Sequence, residues 1–166
     1  GEEDTNLSGT PEHVEDEAEG TNFDYFIHGK DNKFFFEVKY TEDRFASTKD
    51  DESHREKYHR VYEPRIGKIA DLSRSEFFRN YQLWRNLIYI DRGIVVFVIP
   101  RFRKDLEEAV HQARDMTLFP ERVKILTIDD VVKSVIQHGE PELLEHFQEF
   151  RRKYLDFGPD ASKDLS

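Results

Sequence analysis

The stretch that decides the fold is Phe34-Phe35-Phe36-Glu37-Val38-Lys39-Tyr40. Aromatic and β-branched residues suit a pleated, packed surface, so this run predicts a β-strand. Side chains alternate between the two faces of a strand. The alternation predicts Phe34, Phe36, Val38 and Tyr40 toward the core, with Phe35, Glu37 and Lys39 on the other face. A Glu and a Lys two residues apart are costly on a strand this aromatic unless they meet partners. The plainer reading is a solvated face on which the two simply pair, since Glu-x-Lys is a common spacing.

The preceding segment sharpens the question. Phe23 to His28 reads as a strand, and Gly29-Lys30-Asp31-Asn32 supplies turn residues, so residues 23–40 predict a β-hairpin. A four-residue loop sets His28 opposite Lys33, Phe26 opposite Phe35 and Asp24 opposite Glu37. Facing Cβ atoms lie about 5 Å apart, and like charges so placed repel. Something positive is expected between them, either Lys39 or a divalent cation. Carboxylates converging on one point form a hard oxygen-ligand site suited to Mg²⁺, with Mn²⁺ as an alternative. Such a metal generates hydroxide from water and stabilises charge building on a phosphate. Lys39 beside it would orient or deprotonate the water, or neutralise the phosphorus centre.

Working outward, His13 to Ala18 is a weak strand, and Asp50 or Asp51 caps a helix ended by Pro64. Ser73 and Glu76 make a capping box before a helix over 74–91, with Phe77, Tyr81, Trp84 and Ile88 as its buried stripe. Gln82, Arg85, Asn86 and Tyr89 form a neighbouring stripe. Ile94 to Ile99 is a continuous apolar run, as expected of a central strand covered on both faces. A helix over 104–115 and a strand from Val123 to Ile128 complete a right-handed parallel crossover. Asp129 or Asp130 caps the next helix, Gly139 ends it, and Pro141 opens the last one. The order predicts an α/β protein: a mixed sheet, antiparallel hairpin plus parallel strands, flanked by helices. Residues 1–11 read as a disordered or extended acidic tail, 12–156 as a single domain and 157–166 as a C-terminal tail.

Composition narrows the function. The 166 residues contain no cysteine, which removes disulfides, thiolate catalysis and Cys-type zinc sites. No apolar run approaches the roughly 18 residues of a membrane span, and no secretory signal is evident, so a cytoplasmic protein is expected. The net charge is −10, but residues 44–104 hold 14 Lys and Arg against 8 Asp and Glu. A basic middle can present a positive groove despite the total, because local field outweighs the sum. The seven histidines show no zinc-ligand spacing, and no glycine-rich phosphate loop is present, so a nucleotide cofactor is not expected. The only methionine is Met116 and the chain opens at Gly1, so further sequence is expected upstream.

Asp24, the hairpin and Glu37-Val38-Lys39 resemble the PD-(D/E)XK nuclease superfamily, the restriction-endonuclease-like fold. With Tyr40-Thr41-Glu42, Asn80 to Tyr89 and the strand to Ile99-Pro100, the chain is similar over about residues 12–155 to a bacterial group of restriction-endonuclease-like proteins. The resemblance implies a metal-dependent DNA endonuclease in which Asp24 and Glu37 bind Mg²⁺ and Lys39 is catalytic. Gln82 matches a Gln that assists the site in many relatives. Two departures stand out. Phe23 occupies the position before the Asp where Pro is common, and residues 1–11 make a poor match to the first core helix, which is expected upstream.

Arg85 and Asn86 are candidates for facing the site or DNA, although a helix face of this kind is often merely solvated. Arg101, Arg103 and Lys104 follow the central strand and are candidate phosphate contacts, against the plainer reading of a solvated turn. A homodimer is expected by analogy with double-strand cutters of this fold. The competing readings are a catalytically silent nuclease-fold module for DNA binding or assembly, and an unrelated α/β interaction protein. The interaction protein would show an exposed apolar patch and no cleft.

Overall fold

Among the described residues, five strands form one mixed sheet in which the motif strand is central. The computed structural model describes residues 8–14, 22–40, 42 and 44–155. The strands are β1 (Ser8–Val14), β2 (Asn22–His28), β3 (Lys33–Val38), β4 (Ile94–Ile99) and β5 (Val123–Thr127), in spatial order β1-β2-β3-β4-β5. The pairs β1–β2 and β2–β3 are antiparallel, and β3–β4 and β4–β5 are parallel. The hairpin register follows from its loop length: His28 pairs with Lys33, Phe26 with Phe35 and Tyr25 with Phe36.

The polarity of β3 is the reverse of the sequence expectation. Phe35, Glu37 and Lys39 face the core at 0 %, 2 % and 3 % exposure, while Val38 is 40 % exposed. Phe34 and Phe36 are only half-buried. Alternation fixes which residues share a face, whereas the face that is buried depends on where the helices pack. Here the layer around the helix pair beyond residue 73 covers Phe35. Phe23 stacks on Phe35 at 4.8 Å between ring centroids and meets Tyr89 edge-on at 6.0 Å. Tyr25 instead packs on Phe36 across the opposite face. Phe23 and Tyr25 thus lie on different faces, so strict alternation breaks at Asp24.

The connection from β3 to β4 carries α1 (Glu52–Lys57), α2 (Arg74–Arg79) and α3 (Tyr81–Leu87). Asp51 caps α1 by accepting the His54 N–H. Past Lys57 the helix widens into a π-type turn and then a 3₁₀ segment containing Pro64, whose missing N–H ends the α pattern. The single helix expected over 74–91 is two. Ser73 caps the first as expected, but Asn80 leaves helical geometry at φ −120°, ψ 48°. Its side chain donates to Glu76 Oε1 at 2.8 Å. Residues 46–48 run alongside this break: Thr48 N–H donates to Phe78 O and Gln82 N–H to Ala46 O. Phe77, Trp84 and Ile88 are buried as the stripe predicts, with Tyr81 half-buried.

Gly93 precedes β4 where a Cβ would come within 2.5 Å of the Lys33 carbonyl, so no larger residue fits between the parallel strands. Helix α4 (Lys104–Asp115) returns the chain to β5 and adds Leu106, Val110 and Ala113 to the same core as Phe35 and Phe97. Helix α5 (Ile128–His138) is capped by Thr127, whose Oγ1 accepts the Asp130 N–H. Asp129 and Asp130, the expected caps, fall in its first turn instead. Helix α6 (Pro141–Tyr154) places Phe150 and Tyr154 against Tyr40, whose hydroxyl donates to the Tyr154 carbonyl at 3.1 Å. The acidic tail expected over 1–11 lies outside the described residues up to residue 7, and β1 begins at Ser8. The weak strand expected to Ala18 is described only to Val14, and the tail over 157–166 lies outside the described residues.

Candidate active site

The site forms at the C-terminal end of β3, where strand pairing gives way to side-chain contacts. Lys39 N–H still joins the sheet, donating to the Val98 carbonyl at 2.9 Å. On the other side, the last β2–β3 pair is Tyr25 with Phe36. Val38 N–H, next along that edge, donates to Asp24 Oδ2 at 2.7 Å. Asp24 thereby takes the place of a ladder acceptor. The facing pair of Asp24 with Glu37 that the loop length predicts does not form, because the ladder stops at Tyr25 and Phe36 where alternation breaks, and Asp24 bonds the Val38 N–H instead.

Glu37 and Lys39 point into the protein together. Lys39 Nζ lies 3.1 Å from Glu37 Oε1 and 3.2 Å from Glu42 Oε1. Lysine Nζ carries three donors and one charge, so two carboxylates satisfy most of its demand in a low-dielectric setting. Glu42 is half exposed and also accepts the Tyr40 N–H through Oε2 at 3.2 Å. Lys39, one of the two carriers of positive charge expected near Glu37, is in contact with it.

Gln82 reaches Glu37 from the first turn of α3. Its Nε2 donates to Glu37 Oε1 in a short hydrogen bond, while its Oε1 faces the Ala46 N–H at 3.5 Å. Its backbone N–H is tied to Ala46 O as well. The break at Asn80 therefore has a consequence for the site: it lets the 46–48 segment hold both ends of Gln82. One turn on, Asn86 has no exposed surface, so it is a buried residue and does not face solvent.

Electrostatics divide the carboxylates. Burial raises the Glu37 pKa above the ordinary carboxylate value; Lys39 opposes this, nearby Asp24 adds to it, and Asn86 works on the side of Lys39. Glu42 is also pushed up by partial burial, but backbone N–H groups and Lys39 outweigh that and leave its pKa lowered. Glu37 is thus the carboxylate most in need of positive charge.

The remaining sequence candidates are placed differently. Arg85 is half-buried with its guanidinium 5.5 Å from the Tyr81 ring centroid. Arg101 donates its backbone N–H to Asp129 and its guanidinium to Asp130 at 2.6 Å. Arg103 makes a two-pronged pair with Asp105 and donates to the Glu42 carbonyl at 2.6 Å. Lys104 pairs with Glu107 at 2.7 Å. Arg101 and Arg103 lie on the turn after β4 and Lys104 opens α4, and each has an intramolecular acidic partner. Glu42 was not singled out as a site residue from sequence. The signal was available, because a lysine on a buried strand face needs more than one counter-charge and Glu42 lies three residues on.

Asp24 and Glu37 are oxygen donors that could hold a hard cation at this strand end. Among the described residues, no group of three or more His, Asp or Glu side chains gathers as a ready-made metal cluster. No helix among them is long and apolar enough to cross a membrane. Comparison with curated proteins and with solved structures returned no match. A family model described as "Restriction Endonuclease associating with ARP" matches residues 5–155, nearly the whole chain and all of the elements that build the Glu37–Lys39 site. On that match, the chain belongs to the family of restriction endonucleases associating with ARP, a restriction-endonuclease-like family.

Proposed function

We propose that the protein is a metal-dependent endonuclease that hydrolyses DNA phosphodiester bonds. The observation that carries this reading is the buried Glu37–Lys39 pair, braced by Gln82, with Asp24 bound at the edge of the same strand end. Burying a Glu and a Lys is unfavourable unless function or excellent pairing demands it. The donor set suits Mg²⁺ or Mn²⁺, because Mg²⁺ commonly takes only one or two protein carboxylates and keeps several waters. A bound Mg²⁺ would supply Lewis-acid stabilisation of the phosphate and a more acidic water.

The chain's own residues take the other roles. Asp24 and Glu37 are the ligands, and Gln82 fixes the orientation of Glu37. Lys39 turns from its carboxylates toward the reacting phosphate, where it orients the water and offsets charge on the phosphorus centre. The water oxygen forms a bond to phosphorus while one P–O ester bond breaks, and the departing oxygen takes up a proton. DNA is the proposed substrate, a homodimer the proposed assembly and the cytoplasm the proposed location.

A second reading, a nuclease-fold module that binds DNA without cutting it, draws on the absence of a three-carboxylate cluster among the described residues. Supercoiled plasmid incubated with Mg²⁺ or Mn²⁺ separates the two. The nuclease reading expects nicking by the wild type and none by Asp24→Ala or Lys39→Ala. Equal nicking by all three, or DNA binding without any nicking by folded wild type, would falsify it.

A further inference from the structure

Asn86 is the buried polar group that the site as described leaves unused. It lies on the same face of α3 as Gln82, one turn further on, with no solvent exposure. Neither Nδ2 nor Oδ1 completes a hydrogen bond with the protein. Its amide is nevertheless close enough to Glu37 to favour the ionised carboxylate. An amide in that setting carries a standing desolvation penalty, which an apolar residue of similar shape would avoid. Buried polar atoms without partners are exceptions that call for an explanation.

The arrangement of Lys39 suggests one. Lys39 Nζ is shared between Glu37 and Glu42. If it is to serve a phosphate, it must loosen its hold on these carboxylates. Glu42 is half exposed, so water can take over there. Glu37 is 2 % exposed and has no such recourse. Gln82 already donates to it, and the other amide on that helix face belongs to Asn86.

We propose that Asn86 is a positioning residue of the nuclease site, held in reserve as a donor to Glu37 when Lys39 turns to the substrate. This rests on the nuclease reading above. Asn86 then acts through Glu37 and touches neither DNA nor the attacking water. In the resting site the amide lies near Glu37 without completing a hydrogen bond, and that bond closes in the reacting state.

The test uses the full chain and the variants Asn86→Leu, Asn86→Ser and Asn86→Ala. Thermal unfolding without added metal is the first readout. Asn86→Leu is expected to unfold at or above the wild-type midpoint, because the amide has no resting partner to lose. In plasmid cleavage with Mn²⁺, kcat of Asn86→Leu should fall about tenfold or more with KM for DNA unchanged, the size typical of a lost supporting contact. Asn86→Ser, which keeps a donor, should cleave several-fold faster than Asn86→Ala. An Asn86→Leu midpoint below wild type overturns the inference, since the amide then has a structural partner. So does wild-type kcat in Asn86→Leu, or equal rates for the Ser and Ala variants. A folded wild type that never cleaves overturns the nuclease reading itself, and this inference with it.

Discussion

Two neighbouring strand ends carry positive charge, and they differ in how that charge is held. After β3, Lys39 is buried and shared between two carboxylates, one of which, Glu37, is also held by Gln82, and Asp24 bonds the backbone of the residue before Lys39. After β4, Arg101 and Arg103 lie on a turn and Lys104 opens α4, each with an acidic partner of its own. Exposed pairs of the second kind contribute little, typically below about 1 kcal/mol, and serve mainly to fix local geometry. The buried pair cannot be neutral in its effect: removing Lys39 or Glu37 strands the other without water. The lesson is that basic residues close in sequence and space can be held in quite different ways, which burial and partner count distinguish and a charge count does not.

The largest expected difference between these regions is in catalysis. Glu37→Ala and Asp24→Ala should each lower the cleavage rate by about 10³-fold, the order expected when a positioned charged group is removed from such a site. Measured against them, Arg101→Ala should leave single-turnover cleavage nearly unchanged. A comparable loss in Arg101→Ala would erase the distinction.

Stability should separate the regions next. Lys39→Ala leaves Glu37 buried without its ion pair, a change that costs about 3–5 kcal/mol in comparable sites. Urea denaturation followed by tryptophan fluorescence reads this directly through Trp84. The double change Glu37→Gln with Lys39→Met removes both charges and should recover most of the loss. If the double variant is no more stable than Lys39→Ala, charge burial is not what makes the site costly.

A smaller effect should appear with pH. The Glu37 pKa is raised in the folded protein, so the native state binds a proton more tightly than the unfolded chain. Its contribution to stability is therefore fully present below the ordinary carboxylate value and is lost as pH rises toward the raised one. Relative to Glu37→Gln, the wild type should lose melting temperature as pH rises above the ordinary carboxylate value of 4.5 and through the raised one. A constant gap between the two melting curves across that range contradicts the assignment.

The smallest effects belong to the basic turn. Arg103→Ala should exceed Arg101→Ala and Lys104→Ala, because only Arg103 also holds the Glu42 carbonyl and so the segment that supports Lys39. Lys104→Ala should change unfolding free energy by no more than about 0.5 kcal/mol. An order with Lys104→Ala largest would mean that the Arg103 contact with the Glu42 carbonyl does not set the stability of this turn.

Much of this was legible in the sequence, and the failures have physical causes. The hairpin register followed from four turn residues, because loop length fixes pairing and His28 opposite Lys33 carries the pairs as far as Tyr25 with Phe36, although not the expected Asp24 with Glu37. The buried stripe of Phe77, Trp84 and Ile88 followed from helical spacing. The buried face of β3 was not legible, because alternation is symmetric and the helix layer that breaks the symmetry packs from far along the chain. The break at Asn80 was also hidden. Its local sequence suits a helix, and the 46–48 segment that pairs across it lies more than 30 residues away. Thr127 capped α5 ahead of two aspartates because a cap is set by backbone geometry at the helix start. Asp129 and Asp130 were left to pair with Arg101, a partnership between distant segments that no local pattern reveals.

One matched pair of variants tests the central claim most directly. Lys39→Met and Lys104→Met make the same chemical change at the two strand ends, and Mg²⁺-dependent plasmid cleavage reads both. The account predicts that Lys39→Met loses cleavage by about 10³-fold while Lys104→Met stays within about threefold of wild type. Equal rates in the two variants, or a greater loss in Lys104→Met, would contradict it.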